Sequence, residues 1–88
     1  MNSKVEQEAE RLAAAVAEIN EEIDLAAEED ASPDDVERAK GLAANLLAKY
    51  DDLLKRLGAE EKMEVQRTIG LKIERMKGKL TQLRTAPE

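Results

Sequence analysis

Apolar side chains recur along this chain in three stretches, each with the spacing of one helix face. The first has steps of four and three residues, at Val5, Ala9, Leu12, Val16, Ile19 and Ile23. The second comprises Val36, Ala39, Ala43, Leu46, Tyr50, Leu53 and Leu57, with Leu42, Leu47 and Leu54 in a neighbouring row. The third comprises Val65, Ile69, Ile73, Met76, Leu80 and Leu83. Since no strand-like alternation competes, residues 1–88 are predicted to form one domain, an all-α antiparallel three-helix bundle running up, down and up.

The predicted helices span about residues 4–28, 33–57 and 60–84. Ser32 followed by Pro33, Asp34 and Asp35 is a strong helix start, because Ser caps, Pro fits the first turn and Asp favours the positive helix end. Gly58 is predicted to cap the end of the second helix. The wide apolar face of that helix predicts contact with both of the others.

Composition narrows the possible functions. The chain has no Cys, so it has neither disulfides nor a thiolate metal site. It has no apolar run near the roughly 20 residues that span a bilayer, and no signal-peptide core. We therefore expect a protein of the cytosol or the nucleus, with the cytoplasm as the first choice, that does not enter membranes.

Charge argues against nucleic acid as a partner. Residues 1–59 carry 7 basic and 15 acidic side chains, whereas residues 60–85 carry 7 basic and 4 acidic ones. A chain that is acidic over two-thirds of its length binds phosphate backbones poorly. The basic third helix instead suits an acidic partner or contacts within the bundle.

Catalytic chemistry is also not expected. The chain has neither His nor Cys, which removes the common nucleophile–base pairs. The adjacent carboxylates Asp34 and Asp35, like Asp51 and Asp52, diverge by about 100° on a helix and do not converge on a substrate. We expect no enzyme activity, no cofactor and no metal, so function must come from a surface.

Six polar residues of the second and third helices are candidates for that surface. Two packed helices could present them on one shared face, and they are Asp51, Asp52, Gln66, Arg67, Glu74 and Arg75. The alternative interpretation is that these are ordinary solvated charges, linked in weak pairs worth about 0–1 kcal/mol.

Two segments resemble a known family. Residues 11–23, from Arg11 to Ile23, resemble the first helix of a BAG domain, and residues 46–53 resemble the end of its second helix. The third helix, with Gln66 and Arg67 and the segment 69–80, is similar to the family's third helix more loosely. The resemblance implies a three-helix bundle that binds the nucleotide-binding domain of Hsp70-class chaperones and speeds ADP release.

The resemblance also implies which residues would bind. Asp51 matches the family's acidic residue of helix two. The family's Arg falls on Arg67 or Gln66 and its Gln on Arg75 or Glu74, depending on one inserted residue in the preceding loop. Gly41 stands where the family has Glu. On this hypothesis the protein is a monomeric nucleotide-exchange factor.

Two other hypotheses remain open. The bundle could be a structural or adaptor module, either a spacer like a spectrin repeat or a self-association unit, because its heptads are long and regular. It could also be a BAG-like bundle without exchange activity that docks another helix in a groove.

Overall fold

The computed structural model describes residues 3–83, which fold into three helices without any strand. Helix α1 spans Ser3–Ala26, α2 spans Pro33–Lys55 and α3 spans Ala59–Gln82. At a rise of 1.5 Å per residue, helices of 23 and 24 residues are about 35 Å long and fit the longest dimension of the 45 × 20 × 17 Å molecule. The prediction of an all-α three-helix bundle is confirmed.

The core consists of the apolar stripes that the sequence predicts. All six predicted positions of α1 are buried, together with Ala26, and α3 buries Val65, Ile69, Ile73 and Met76. From α2 the stripe buries Ala39, Ala43, Leu46 and Leu53, while Val36, Tyr50 and Leu57 are partly buried against it. No polar residue in the described part of the chain is buried.

Helix α1 is the most central element. It contacts α2 and α3 more extensively than those two contact each other, although α2 does touch both, as predicted. The neighbouring row on α2 is divided, because Leu47 and Leu54 are partly buried whereas Leu42 is exposed. About 100° separates successive residues, so Leu42 lies on the opposite edge of the stripe from Leu47.

The start of α2 has the predicted cap. The backbone N–H of Asp35 donates to Ser32 Oγ at 3.2 Å, and the backbone N–H of Ser32 donates to Asp35 Oδ2 at 3.1 Å. This reciprocal pair satisfies two amides that the helix leaves free, and such caps are typically worth about 1 kcal/mol.

The helix ends differ from the prediction by one or two residues. Helix α1 ends at Ala26, before the acidic residues 28–30, which the negative helix end disfavours. Arg56 is the C-terminal cap of α2, and Gly58 instead precedes α3 as its N-cap, with an ordinary φ of −74°. The predicted end of the third helix at residue 84 lies outside the described residues.

Candidate functional site

The two aspartates predicted as binding residues point to different sides of α2. The Asp51 carboxylate lies 3.3 Å from Lys55 Nζ, on the edge towards α3. The Asp52 carboxylate lies 3.4 Å from Arg56 Nε, and the same guanidinium binds Glu8 of α1 at 2.9 Å. One position along a helix is a rotation of about 100°, which places Asp52 beside α1 and away from the face shared by α2 and α3.

The four predicted residues of α3 are exposed and are likewise divided. Arg67 pairs with Glu64, and Glu74 pairs with Lys77, each at 3.4 Å and within α3. Gln66 and Glu74 lie on the edge towards α2, whereas Arg75, one residue further on, turns towards α1. The structure therefore gathers Asp51, Gln66 and Glu74 on one edge, and their role in binding a partner stays a prediction.

Tyr50 lies at the centre of that edge and has an altered pKa. Partial burial raises the pKa of its hydroxyl above the ordinary value of 10.0, and the negative charge of Glu74 raises it further. Gly70 of α3 faces this hydroxyl, and a Cβ at position 70 would lie 3.6 Å from Tyr50 Oη. The phenol therefore stays neutral over a wider pH range than in water.

A groove lies on the other side of α2, where this helix packs against α1. This α1–α2 groove has a volume of about 700 Å³. Its apolar part consists of Leu12, Ala15, Ile19, Leu42 and Leu46. Leu42 is 37% exposed, although it is a large apolar side chain. Charged residues lie on both sides of this apolar part, and they include Arg11, Glu18, Glu21 and Lys49.

Two ion pairs between the helices mark the ends of the groove. At one end Arg56 binds Glu8, and at the other Arg38 Nε lies 3.6 Å from Glu22 Oε1. The hydrogen bond from Arg56 lowers the pKa of Glu8 and outweighs the small opposing effect of burial. Such exposed pairs contribute little stability, so they mark the alignment of α1 with α2, which the buried apolar stripes maintain.

The sequence analysis missed this groove. The signal that could have revealed it is Leu42, a large residue one position before the stripe residue Ala43. Because Ala43 is small, α2 packs close to α1 at this point. The large side chain of Leu42 beside it then lies at the edge of the groove. The pairing of α1 with α2 that completes the groove is a tertiary feature.

Residues 3–83 contain no group of three or more His, Cys, Asp or Glu side chains placed to hold a metal ion. Within the same residues no helix is long and apolar enough to cross a membrane.

The chain matches a known family of helical domains. Residues 6–86 match a family model described as the embryogenesis-like protein helical domain. No curated protein and no solved structure matches the chain.

This match corrects the resemblance inferred from the sequence. The assignment to the BAG family is wrong, because the matching model is that of another family and no BAG model matches. The role of chaperone regulator is withdrawn with it. The physical reason is that regular apolar steps of three and four residues are common to helical bundles in general and do not distinguish one family from another.

Proposed function

The chain belongs to the family of embryogenesis-like protein helical domains, and from that premise we propose that it is a non-catalytic protein-interaction module that binds its partner through the α1–α2 groove. The adaptor role considered above is thus preferred to nucleotide exchange.

One observation carries this proposal. In the groove an exposed large apolar side chain, Leu42, lies together with four charged side chains that have no ion-pair partner in residues 3–83, while the other charges of the groove form the ion pairs at its ends. The other exposed large apolar residues of the described chain, Leu25, Met63 and Leu71, lie outside the groove. Apolar surface with a charged rim is typical of protein–protein contacts.

The absence of catalysis and a cytoplasmic location belong to the same proposal. Support for the first comes from the lack of His and Cys, and support for the second from the lack of Cys. An interaction module needs only a rigid surface, which a core of interlocking apolar stripes provides.

Site-specific photo-crosslinking in the cell of origin tests the proposal. A photoreactive amino acid replaces Leu42 in one variant and Leu71 in a second, which serves as the control because Leu71 is 61% exposed on α3. We expect covalent protein adducts from position 42 and none from position 71. Adducts formed from position 71 alone, or from neither, would overturn the proposal.

A second pair of variants tests whether an adduct depends on the groove. Lys49→Glu reverses a charge in the groove, whereas Lys72→Glu makes the same change on α3, outside it. We expect the adduct from position 42 to be lost with Lys49→Glu and retained with Lys72→Glu. Equal yields in both variants would show that the crosslinks are non-specific.

A further inference from the structure

The charges of the α1–α2 groove are separated along its length. The ion pairs Glu8–Arg56 and Glu22–Arg38 show the antiparallel alignment of α1 with α2, in which Lys49 lies level with the turn of α1 that follows Arg11. Glu18 lies about two turns further along α1 than Arg11, roughly 10 Å away, and Glu21 about three turns further, roughly 15 Å away, at 1.5 Å per residue. One half of the groove therefore has unpaired positive charge and the other half has unpaired negative charge.

None of these four residues forms an ion pair with another residue in 3–83. The ion pairs of the groove involve Glu8, Asp52 and Arg56 at one end and Glu22 and Arg38 at the other. Arg11 does lower the pKa of Glu8 through its charge, but more weakly than Arg56 does. The charges of Arg11, Glu18, Glu21 and Lys49 are thus available to a partner.

The positive half of the groove is complementary in charge to the negative half of the same groove on a second copy of the chain. We infer that the partner bound in the α1–α2 groove is a second copy of this chain, which docks antiparallel across a two-fold axis near Ala15. This inference rests on the proposed function and names the partner of the same groove.

The charges select the antiparallel orientation. A two-fold axis across the helices at Ala15 relates position 11 of α1 to about position 19 of the second copy, so Arg11 meets Glu18. A parallel arrangement would place the positive halves on each other and the negative halves on each other, which is unfavourable. The contact at the axis is close, because Ala14 and Ala15 are small.

The pair Arg11–Glu18 occurs twice in such a dimer, once on each side of the axis. The exposed side chain of Leu42 would be covered by the second copy, which accounts for a large apolar residue at the groove's edge. The net charge of −6 on each chain opposes association, so a weak dimer is expected.

Sedimentation equilibrium of the full chain from micromolar to millimolar concentration tests the inference. We expect wild-type protein to form a dimer whose fraction rises with concentration. Arg11→Glu and Glu18→Arg should each weaken the dimer at least about tenfold, because each change creates two like-charge contacts. The double variant Arg11→Glu/Glu18→Arg should restore wild-type association, because the swapped charges attract again.

Glu10→Arg is the matched control, because Glu10 is an exposed residue of α1 outside the groove. Its dissociation constant should equal that of wild-type protein, after allowance for the changed net charge. Circular dichroism should show the same helix content in all variants.

A wild-type protein that stays monomeric throughout would overturn the inference. So would a dimer that the single reversals leave unchanged, or a double variant that fails to recover. None of these results affects the proposed function, since crosslinks from position 42 to a different protein would still support it. Failure of the proposed function is recognised separately, by the absence of any adduct at position 42.

Discussion

Two glycines in helix interiors make the protein less stable than its fold allows. A Cβ at Gly41 of α2 or at Gly78 of α3 would meet no heavy atom within 4 Å. Alanine is the better helix former by about 0.5–1 kcal/mol, so Gly41→Ala and Gly78→Ala should each raise the free energy of unfolding by that amount. Urea denaturation measures the change, and a loss of stability in either variant would show that the site is not open.

Gly70 provides the comparison for these two sites. Its added Cβ would lie 3.6 Å from Tyr50 Oη, an ordinary contact distance. Gly70→Ala should therefore fold, with a gain no larger than that of Gly78→Ala. A strong destabilisation would mean that α2 and α3 need the close approach that glycine allows.

Tyr50 allows a titration that is assigned without ambiguity, because it is the single aromatic residue of the chain. Burial and the charge of Glu74 both raise its pKa, so phenolate absorbance should appear above pH 10.0 in the folded protein and nearer that value in urea. Since the unfolded phenol ionises first, stability should fall as pH rises through the folded pKa.

Variants at Glu74 and Glu64 separate the two causes of this shift. Glu74→Gln removes the smaller cause and should lower the Tyr50 midpoint while leaving it above 10.0. Glu64→Gln neutralises another exposed carboxylate of α3 and serves as the control. If both variants give the wild-type midpoint, Glu74 does not act on the phenol.

At the scale of the helices, stability depends on which leucine faces inwards. Leu53 of α2 is 1% exposed, whereas Leu71 of α3 is 61% exposed. Leu53→Ala should cost about 2–5 kcal/mol, because it removes buried methyl groups and leaves a cavity. Leu71→Ala should change the free energy of unfolding by about 0.5 kcal/mol or less. Denaturation curves of similar midpoint for the two variants would contradict the packing described.

The helices were predictable because their signals are local. The spacing of Val5, Leu12 and Ile19 identifies a buried face without knowledge of any neighbour, and Ser32 with Asp35 closes a capping box within four residues. The side of each helix that faces a given neighbour was not predictable in this way. Asp51 and Asp52 are adjacent and identical in the sequence, yet Asp51 lies towards α3 and Asp52 binds the guanidinium of Arg56, which also binds Glu8.

The family could not be predicted from the spacing of apolar residues either. Apolar periodicity in the segment 11–23 reports only that a helix has one buried face. The groove could not be predicted either, because residues far apart in the sequence line it together, such as Ile19 of α1 and Leu42 of α2. The sequence contained every residue of the groove but no local signal that brings them together.

For the whole molecule, the distribution of charge complements the packing. Helix α1 carries 7 acidic and 2 basic side chains, and α3 carries 4 acidic and 6 basic ones. The central, acidic α1 contacts both neighbours, through Asp24 to Lys79 at 2.8 Å on α3 and through Glu8 to Arg56 beyond α2. Basic residues of the flanking elements thus offset the repulsion within α1, although single exposed pairs are weak.

Acid should therefore weaken the bundle partly through Glu8. Its folded pKa lies below the ordinary value of 4.5, chiefly because Arg56 donates a hydrogen bond to the carboxylate. The ionised group stabilises the fold above that value, and the contribution is lost as pH falls through the lower, folded pKa.

Glu8→Gln should lower the thermal midpoint near neutral pH and reduce the decrease of that midpoint on acidification. Glu10→Gln, which removes an exposed carboxylate of α1 outside the groove, should leave the decrease as in wild-type protein. Thermal unfolding followed by circular dichroism between about pH 7 and about pH 3 measures both. If the midpoints of Glu8→Gln and Glu10→Gln decrease alike, the ion pair between Glu8 and Arg56 does not link the end of α2 to α1 in solution.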